Sequence, residues 1–163
     1  MEVLNHDQIT KKIHRLAFQV YEGFLEEKEL VIAGINGNGF ELARILCEEV
    51  RAISPINCRL IEIKIDKHHP TASSTTLVGE MDDLNHLPVL IIDDVLNTGR
   101  TMVYAISAFI REGCQPIRTL VLANRNHRSF PVAADYVGIS MATTLQEHLN
   151  FKIDQHKYSL ELE

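Results

Sequence analysis

VLIIDDVLNTGRTM, residues 89–102, is the stretch on which the fold turns. Its first four residues form a continuous apolar run of β type, two adjacent carboxylates follow, and a small Asn-Thr-Gly-Arg-Thr turn leads into a helical pattern from Met102 to Ile110 that Gly113 ends. A strand covered on both faces reads as continuously apolar rather than alternating, so residues 89–92 predict an interior strand of a parallel sheet.

The same order recurs on either side. LVIAGI at 30–35 is a second apolar run, it empties into the glycine-rich GINGNG at 34–39, and Leu42, Ile45, Leu46 and Val50 then mark one helical face. CRLIEIKI at 58–65 and IRTLVLA at 117–123 read as further strands. Ahead of them, Ile9, Ile13, Leu16, Ala17, Val20, Tyr21 and Phe24 recur at helical spacing, with Asn5 or Asp7 as N-cap. Strands alternating with helices predict an α/β fold, a parallel sheet flanked by helices on both faces, with ligands bound beyond the carboxyl ends of the strands. The whole chain, 1–163, reads as one domain. Residues 66–86, DKHHPTASSTTLVGEMDDLNH, show no periodicity and predict a flexible binding loop or lid, with a disordered insertion as the alternative.

Composition narrows the function. No apolar run approaches the roughly 20 residues that cross a bilayer, and MEVLNHDQITKKIHRL has neither signal-peptide nor transit-peptide character, so a cytoplasmic protein without membrane partners is expected. Cys47, Cys58 and Cys114 lack CxxC spacing and read as buried thiols rather than a disulfide framework or a zinc site. The formal charge of −6 disfavours RNA as a partner, because only KKIHR at 11–15 and RNHR at 125–128 offer local basic patches.

A strand that enters a tight turn and then a helix presents unpaired N–H groups at the positive end of the helix dipole, which suits a phosphate. Thr98 and Thr101 add hydroxyls, and Gly99 permits close approach of the backbone. Asp93 and Asp94 would repel a phosphate, so they must face another part of the ligand: sugar hydroxyls, or a hydrated magnesium ion. A ribose diol carrying a 5′-phosphate meets both demands.

IIDDVLNTGRT, residues 91–101, resembles the 5-phosphoribosyl-1-pyrophosphate (PRPP) signature of type I phosphoribosyltransferases. LVLANRNHRSFPVAADYVGISMATT, residues 120–144, is similar to the corresponding segment of the bifunctional uracil phosphoribosyltransferases that double as pyrimidine-operon attenuators. The resemblance implies the fold of that family, with a flexible loop and a small C-terminal hood. It implies an enzyme that moves ribose 5-phosphate from PRPP to a nucleobase, with uracil as the base, pyrophosphate as the product, Mg2+ as cofactor and a homo-oligomeric assembly. By the same resemblance Asp93 and Asp94 hold the ribose hydroxyls at the catalytic centre with magnesium arriving on PRPP, and Asn97, Thr98, Gly99, Arg100 and Thr101 bind the 5′-phosphate. Asn36, Gly37 and Asn38 take the place of the pyrophosphate loop, while Asn124, Tyr136 and Val137 form the base pocket, with Tyr136 stacking on the ring.

Several positions depart from that pattern. Gly37-Asn38 stands where the uracil-type relatives carry Thr-Arg, which predicts a leaving group short of one compensating charge and slower catalysis. Lys64, Lys67, His68 and His69 occupy the loop that holds other charged residues in those relatives, and a lysine there can substitute as the cation. Asn97 is an amide where purine-specific members place an acid; an amide cannot act as a general base at neutral pH, which weighs against purines and is compatible with uracil. Asn124-Arg125 and Ile139 replace Asp-Arg and a lysine, altering the base-reading edge and the basic face used for RNA. Two further readings follow: a PRPP or nucleotide sensor with eroded pyrophosphate machinery, and, more weakly, an RNA attenuator.

Overall fold

The computed structural model describes residues 1–71 and 74–163. Ala72 and Ser73, within the expected lid, lie outside the described residues.

The chain begins with a short strand, β1 (Glu2–Leu4), and α1 (His6–Gly23). Asn5 caps α1 in a capping box: its Oδ1 accepts from the Gln8 amide at 3.0 Å, and Gln8 Oε1 accepts from the Asn5 amide at 2.9 Å. Asn5 is thus the cap, not Asp7. The buried stripe of α1 is Ile9, Ile13, Leu16, Ala17 and Val20.

β2 (Glu29–Ile35), α2 (Asn38–Ile53), β3 (Asn57–Lys64), β4 (Thr76–Gly79), β5 (Val89–Leu96), α3 (Arg100–Arg111), β6 (Ile117–Asn124) and β7 (Tyr136–Ser140) follow. Six strands form one sheet in the order β4-β3-β2-β5-β6-β7, parallel throughout except for β4 at the edge. From β2 the chain steps outward through α2 to β3, whereas from β5 it steps the other way through α3 to β6. Crossovers of one hand running in opposite directions place their helices on opposite faces of the sheet. Leu30, Ile32, Leu90 and Ile92 accordingly pack under α1 and α2. The alternate residues Val31, Ala33, Ile35, Val89 and Ile91 pack with Met102, Ala105 and Phe109 of α3. The order reverses between β2 and β5, so the loops that follow these two strands diverge and leave a crevice at their carboxyl ends.

Residues 66–86 are not uniformly irregular as the sequence suggested. Thr76–Gly79 pair antiparallel with β3, Ile63 opposite Leu77 and Lys64 opposite Thr76. Leu84 is buried, and the His86 amide donates to the Gly113 carbonyl at 2.9 Å. Four residues are too few for a period-2 pattern to stand out, and main-chain pairing to an existing edge carries this strand.

The hood is a separate antiparallel sheet, β1-β9-β8, built from β8 (Leu149–Asp154), β9 (Lys157–Leu162) and the N-terminal β1. It is therefore not purely C-terminal. Leu149, Phe151 and Leu160 drop from it into the core under α1 and α2. All three cysteines are buried free thiols. No helix among the described residues is long and apolar enough to cross a membrane.

Candidate active site

At the β2/β5 reversal lies a cavity of about 290 Å³. Asp93, Asp94 and every residue from Asn97 to Thr101 line it, joined by Lys67 and Leu149.

The turn after β5 is shaped for an anion. Gly99 is the N-cap of α3 at φ 88°, a left-handed conformation that favours glycine, and a β-carbon there would also stand 2.5 Å from Val132 Cγ1. The Thr98 carbonyl is occupied from behind by the Ser129 and Phe130 amides, at 2.9 and 3.2 Å. No side chain caps α3 and its first turn holds no acid; the Arg100 amide reaches Thr98 Oγ1 at a long 3.3 Å. The remaining first-turn N–H groups thus face the cavity with the helix dipole behind them.

Beneath the turn, Asp93 is buried while Asp94 is half-buried. Each carboxylate accepts the next backbone amide at 2.9 Å, Asp94 N to Asp93 Oδ1 and Val95 N to Asp94 Oδ1. Gly39, in the first turn of α2, lies directly against the first acid: a β-carbon there would be 2.7 Å from Asp93 Oδ1. Burial holds the Asp93 carboxyl well above the ordinary carboxylate range, the neighbouring Asp94 charge pushes it further up, and Lys67 pulls against both. Lys67 Nζ stands 3.6 Å from Asp93 Oδ1 and 4.0 Å from the position a β-carbon on Gly37 would occupy. A loop lysine therefore supplies positive charge between the two glycine-bearing turns.

The residues assigned to the pyrophosphate loop lie between β2 and the first turn of α2. Asn36 turns its Oδ1 to the Ile65 amide at 3.0 Å, tying this loop to the end of β3. Gly37 adopts φ 87° and its carbonyl accepts the Glu41 amide. Asn38 sends its amide into the hood, donating to the Phe151 carbonyl at 2.6 Å. Its side chain serves as a tether between α2 and β8.

The expected base residues do not line the cavity. Tyr136 stands opposite Leu120 and begins β7, about 13 Å back along the strand from Ser140 at the carboxyl edge. Its hydroxyl accepts from Arg118 Nη1 at 3.0 Å, and it packs so tightly on Gly23 that a β-carbon there would lie 2.0 Å from the hydroxyl oxygen. Val137 packs into the α3-side core while its carbonyl accepts from Arg15. Resemblance to a linear motif located the strand but not the level of each residue along it. Asn124 does reach the carboxyl edge, paired in register with Leu96 and Ser140, where its side chain is engaged with Asn126.

Leu149 had no motif to announce it, and Arg125, though part of the RNHR patch, was not expected to touch Asn97. Leu149 enters the cavity from β8. Arg125, 6% exposed, donates from Nη1 to Asn97 Oδ1 at 3.0 Å, from Nε to Thr143 Oγ1 at 3.0 Å and from Nη2 to the Thr144 carbonyl at 3.1 Å; Nη2 also donates to the Glu147 carbonyl. Of Lys64, Lys67, His68 and His69, only Lys67 lines the cavity; His68 and His69 instead direct their backbone amides to Asp66 Oδ1. Among the described residues, no group of three or more His, Cys, Asp or Glu is placed to hold a metal ion.

The chain is similar to known proteins along nearly its whole length. The chain is 29% identical over 164 residues to the bifunctional protein PyrR of Caldicellulosiruptor bescii, covering 94% of this chain and 88% of that one. It is 29% identical over 166 residues to the bifunctional protein PyrR of Haemophilus influenzae, covering 94% and 91%. Among solved structures, the hypoxanthine phosphoribosyltransferase of Trypanosoma cruzi superposes with a TM-score of 0.77 at 15% identity, covering 98% of this chain and 94% of that one. A hypoxanthine phosphoribosyltransferase from Staphylococcus aureus gives 0.73 at 18% identity, covering 89% and 80%; at such identities the likeness is one of fold. The model of the phosphoribosyl transferase domain matches residues 1–155, and the chain belongs to that family.

Proposed function

We propose that the chain transfers ribose 5-phosphate from PRPP to uracil in the cytoplasm, releasing pyrophosphate, with residues 1–163 acting as one catalytic unit. The observation that carries this reading is the single cavity in which Asp93 and Asp94 meet the uncapped N-terminus of α3. The 5′-phosphate sits on the amides and hydroxyls of residues 98–101, and the two carboxylates accept the ribose hydroxyls. As the bond from ribose C1 to the pyrophosphate oxygen breaks, that oxygen keeps the electron pair. Asp93 and Asp94 then stabilise the positive charge on the ribose, and a ring nitrogen of the base forms the new bond to C1 and gives up its proton to solvent.

Two adjacent carboxylates without a third acid suit magnesium, which keeps several waters and takes one or two carboxylates together with substrate phosphates. When bound with PRPP the ion neutralises charge on the departing pyrophosphate. Lys67 supplies a protein charge for the same end from the lid side. Uracil is favoured by the segment 120–144 and by Asn97, whose amide cannot take a proton from a purine ring. Assembly of identical chains is part of the same proposal and is read by light scattering.

A second reading, a PRPP or nucleotide sensor, is favoured by one observation: the neutral Asn38 side chain is bonded to the hood, so it offers the leaving group neither a charge nor that donor. Losing such a donor costs about 3 kcal/mol, on the order of a hundredfold in rate. Pyrophosphate release measured with PRPP, Mg2+ and each common nucleobase, beside calorimetry with PRPP alone, separates the readings. Turnover with uracil supports the first. PRPP binding with no turnover on any base supports the sensor, and turnover only with a purine overturns the choice of uracil.

A further inference from the structure

Arg125 is a buried cation that donates to four neutral oxygens. His148 Nδ1 lies 3.4 Å from its Nη1, and the Glu147 side chain turns instead to the Thr144 amide at 2.7 Å. Buried charge is costly unless fully hydrogen-bonded, so this arrangement specifies geometry more than it adds stability. Two consequences follow from its partners. Asn97 is held by its oxygen, so the amide NH2, which donates to no protein group among the described residues, is the end left for a ligand. The carbonyls of Thr144 and Glu147 belong to the segment that leads straight into Leu149, another residue of the cavity wall. One guanidinium thus fixes two parts of the wall that stand 52 positions apart in the chain, Asn97 and Leu149.

We propose that Arg125 is a positioning residue for the nucleobase end of the site: it presents the Asn97 NH2 as a hydrogen-bond donor toward a ligand acceptor and holds Leu149 in register with it. The base partner is accordingly a ring with a carbonyl oxygen or an unprotonated nitrogen at that point. This inference rests on the phosphoribosyltransferase reading, and it assigns Arg125 to the base without assigning it to the phosphate or the ribose.

The test compares two ligands that differ only by the base, uridine 5′-monophosphate and ribose 5-phosphate, titrated calorimetrically into the full chain. Their affinity ratio isolates the contribution of the base without requiring turnover. Arg125→Gln is expected to reduce the advantage of the nucleotide tenfold or more, with ribose 5-phosphate affinity moving less than threefold, and Arg125→Lys to recover part of it. Asn97→Asp keeps an acceptor for Arg125 but removes the NH2, so it should reduce the same ratio while the melting temperature holds; it decides the matter if Arg125→Gln does not fold. A fall of both affinities in step in the Arg125 variants, or an unchanged ratio in Asn97→Asp, overturns the proposal. Should inosine 5′-monophosphate rather than the uridine nucleotide outbind ribose 5-phosphate in the wild type, the choice of uracil fails while the same ratios, taken with the inosine nucleotide, still decide the role of Arg125. If neither nucleotide outbinds ribose 5-phosphate in the wild type, the base site and this inference fall together.

Discussion

Lys67 Nζ lies 3.6 Å from Asp93 Oδ1, across the crevice between the loop after β3 and the end of β5. Of the influences on Asp93 that act through a side chain, this ammonium is the one that favours the carboxylate, against burial and the Asp94 charge. Lys67→Met should therefore raise the Asp93 pKa further and remove a charge from the leaving-group side. The expected loss in kcat/KM is about 1.5–3 kcal/mol, roughly ten- to a hundredfold. In the wild type the acid limb of the kcat/KM profile should fall above the ordinary carboxylate range, and in Lys67→Met it should move to higher pH. An unmoved limb would separate Lys67 from Asp93.

The raised Asp93 pKa also has a sign for stability. A carboxyl whose folded-state pKa exceeds its unfolded value favours the fold while protonated, so its contribution is complete below the ordinary Asp value and is lost as pH rises through the folded value. Asp93→Asn keeps an oxygen for the Asp94 amide and removes the buried charge. Its melting temperature without ligand should exceed that of the wild type at pH 8, with the gap closing toward pH 4, while PRPP binding is lost. A lower melting temperature at both pH values would contradict this account of Asp93, in which function is retained at a cost in stability.

Gly39→Ala tests how closely α2 approaches the acids. The added methyl must displace Asp93 Oδ1 at 2.7 Å, and the Ile92 carbonyl oxygen at 3.2 Å leaves little room on the other side. Overpacking of this kind costs about 1–3 kcal/mol. Chemical denaturation should register that loss, and PRPP affinity should fall with it; a folded variant with wild-type affinity would show that Asp93 moves freely.

Asn38→Arg would restore the charge missing from the glycine-rich loop, but the Asn38 side chain is bonded to the hood. The variant is expected to lose that hydrogen bond, worth about 0.5–1.5 kcal/mol, and to show a lower melting temperature without a faster chemical step. A tenfold rise in pyrophosphate release would mean that the arginine turns away from Phe151 into the cavity.

The parts of the site legible in the sequence are those carried by local chemistry. A continuous apolar run, two acids, a glycine and a helix-period pattern occupy one segment, and their short-range geometry follows from that segment alone, so Asp93, Asp94 and residues 97–101 meet in one cavity. The β/α order and both helical faces of α1 and α2 were legible for the same reason. What escaped depends on distant partners. β4 exists because β3 offers an edge, and Asn38 points away because Phe151 brings a carbonyl to it. Tyr136 sits below the site because the register of β7 on β6 puts it opposite Leu120. No window of sequence contains those relationships.

The hood joins the two ends of the described chain: the Met1 amino group donates to the Leu162 carbonyl, a separation of 161 residues, and the Leu162 amide returns a bond to the Met1 carbonyl. Contacts so far apart carry the largest loop-closure entropy in the molecule and form after local ones have been made. Of these elements β1 is made before β9, and it has no sheet neighbour until β9 emerges. Until then β8, which carries Leu149 and the Phe151 carbonyl that Asn38 reaches, has no strand beside it, so a nascent chain that has already built the acid pair and the turn after β5 still has an open wall. Closure of the cavity wall thus waits on β9, and pulse-labelled chains released short of β9 should bind PRPP poorly even where their central sheet resists protease.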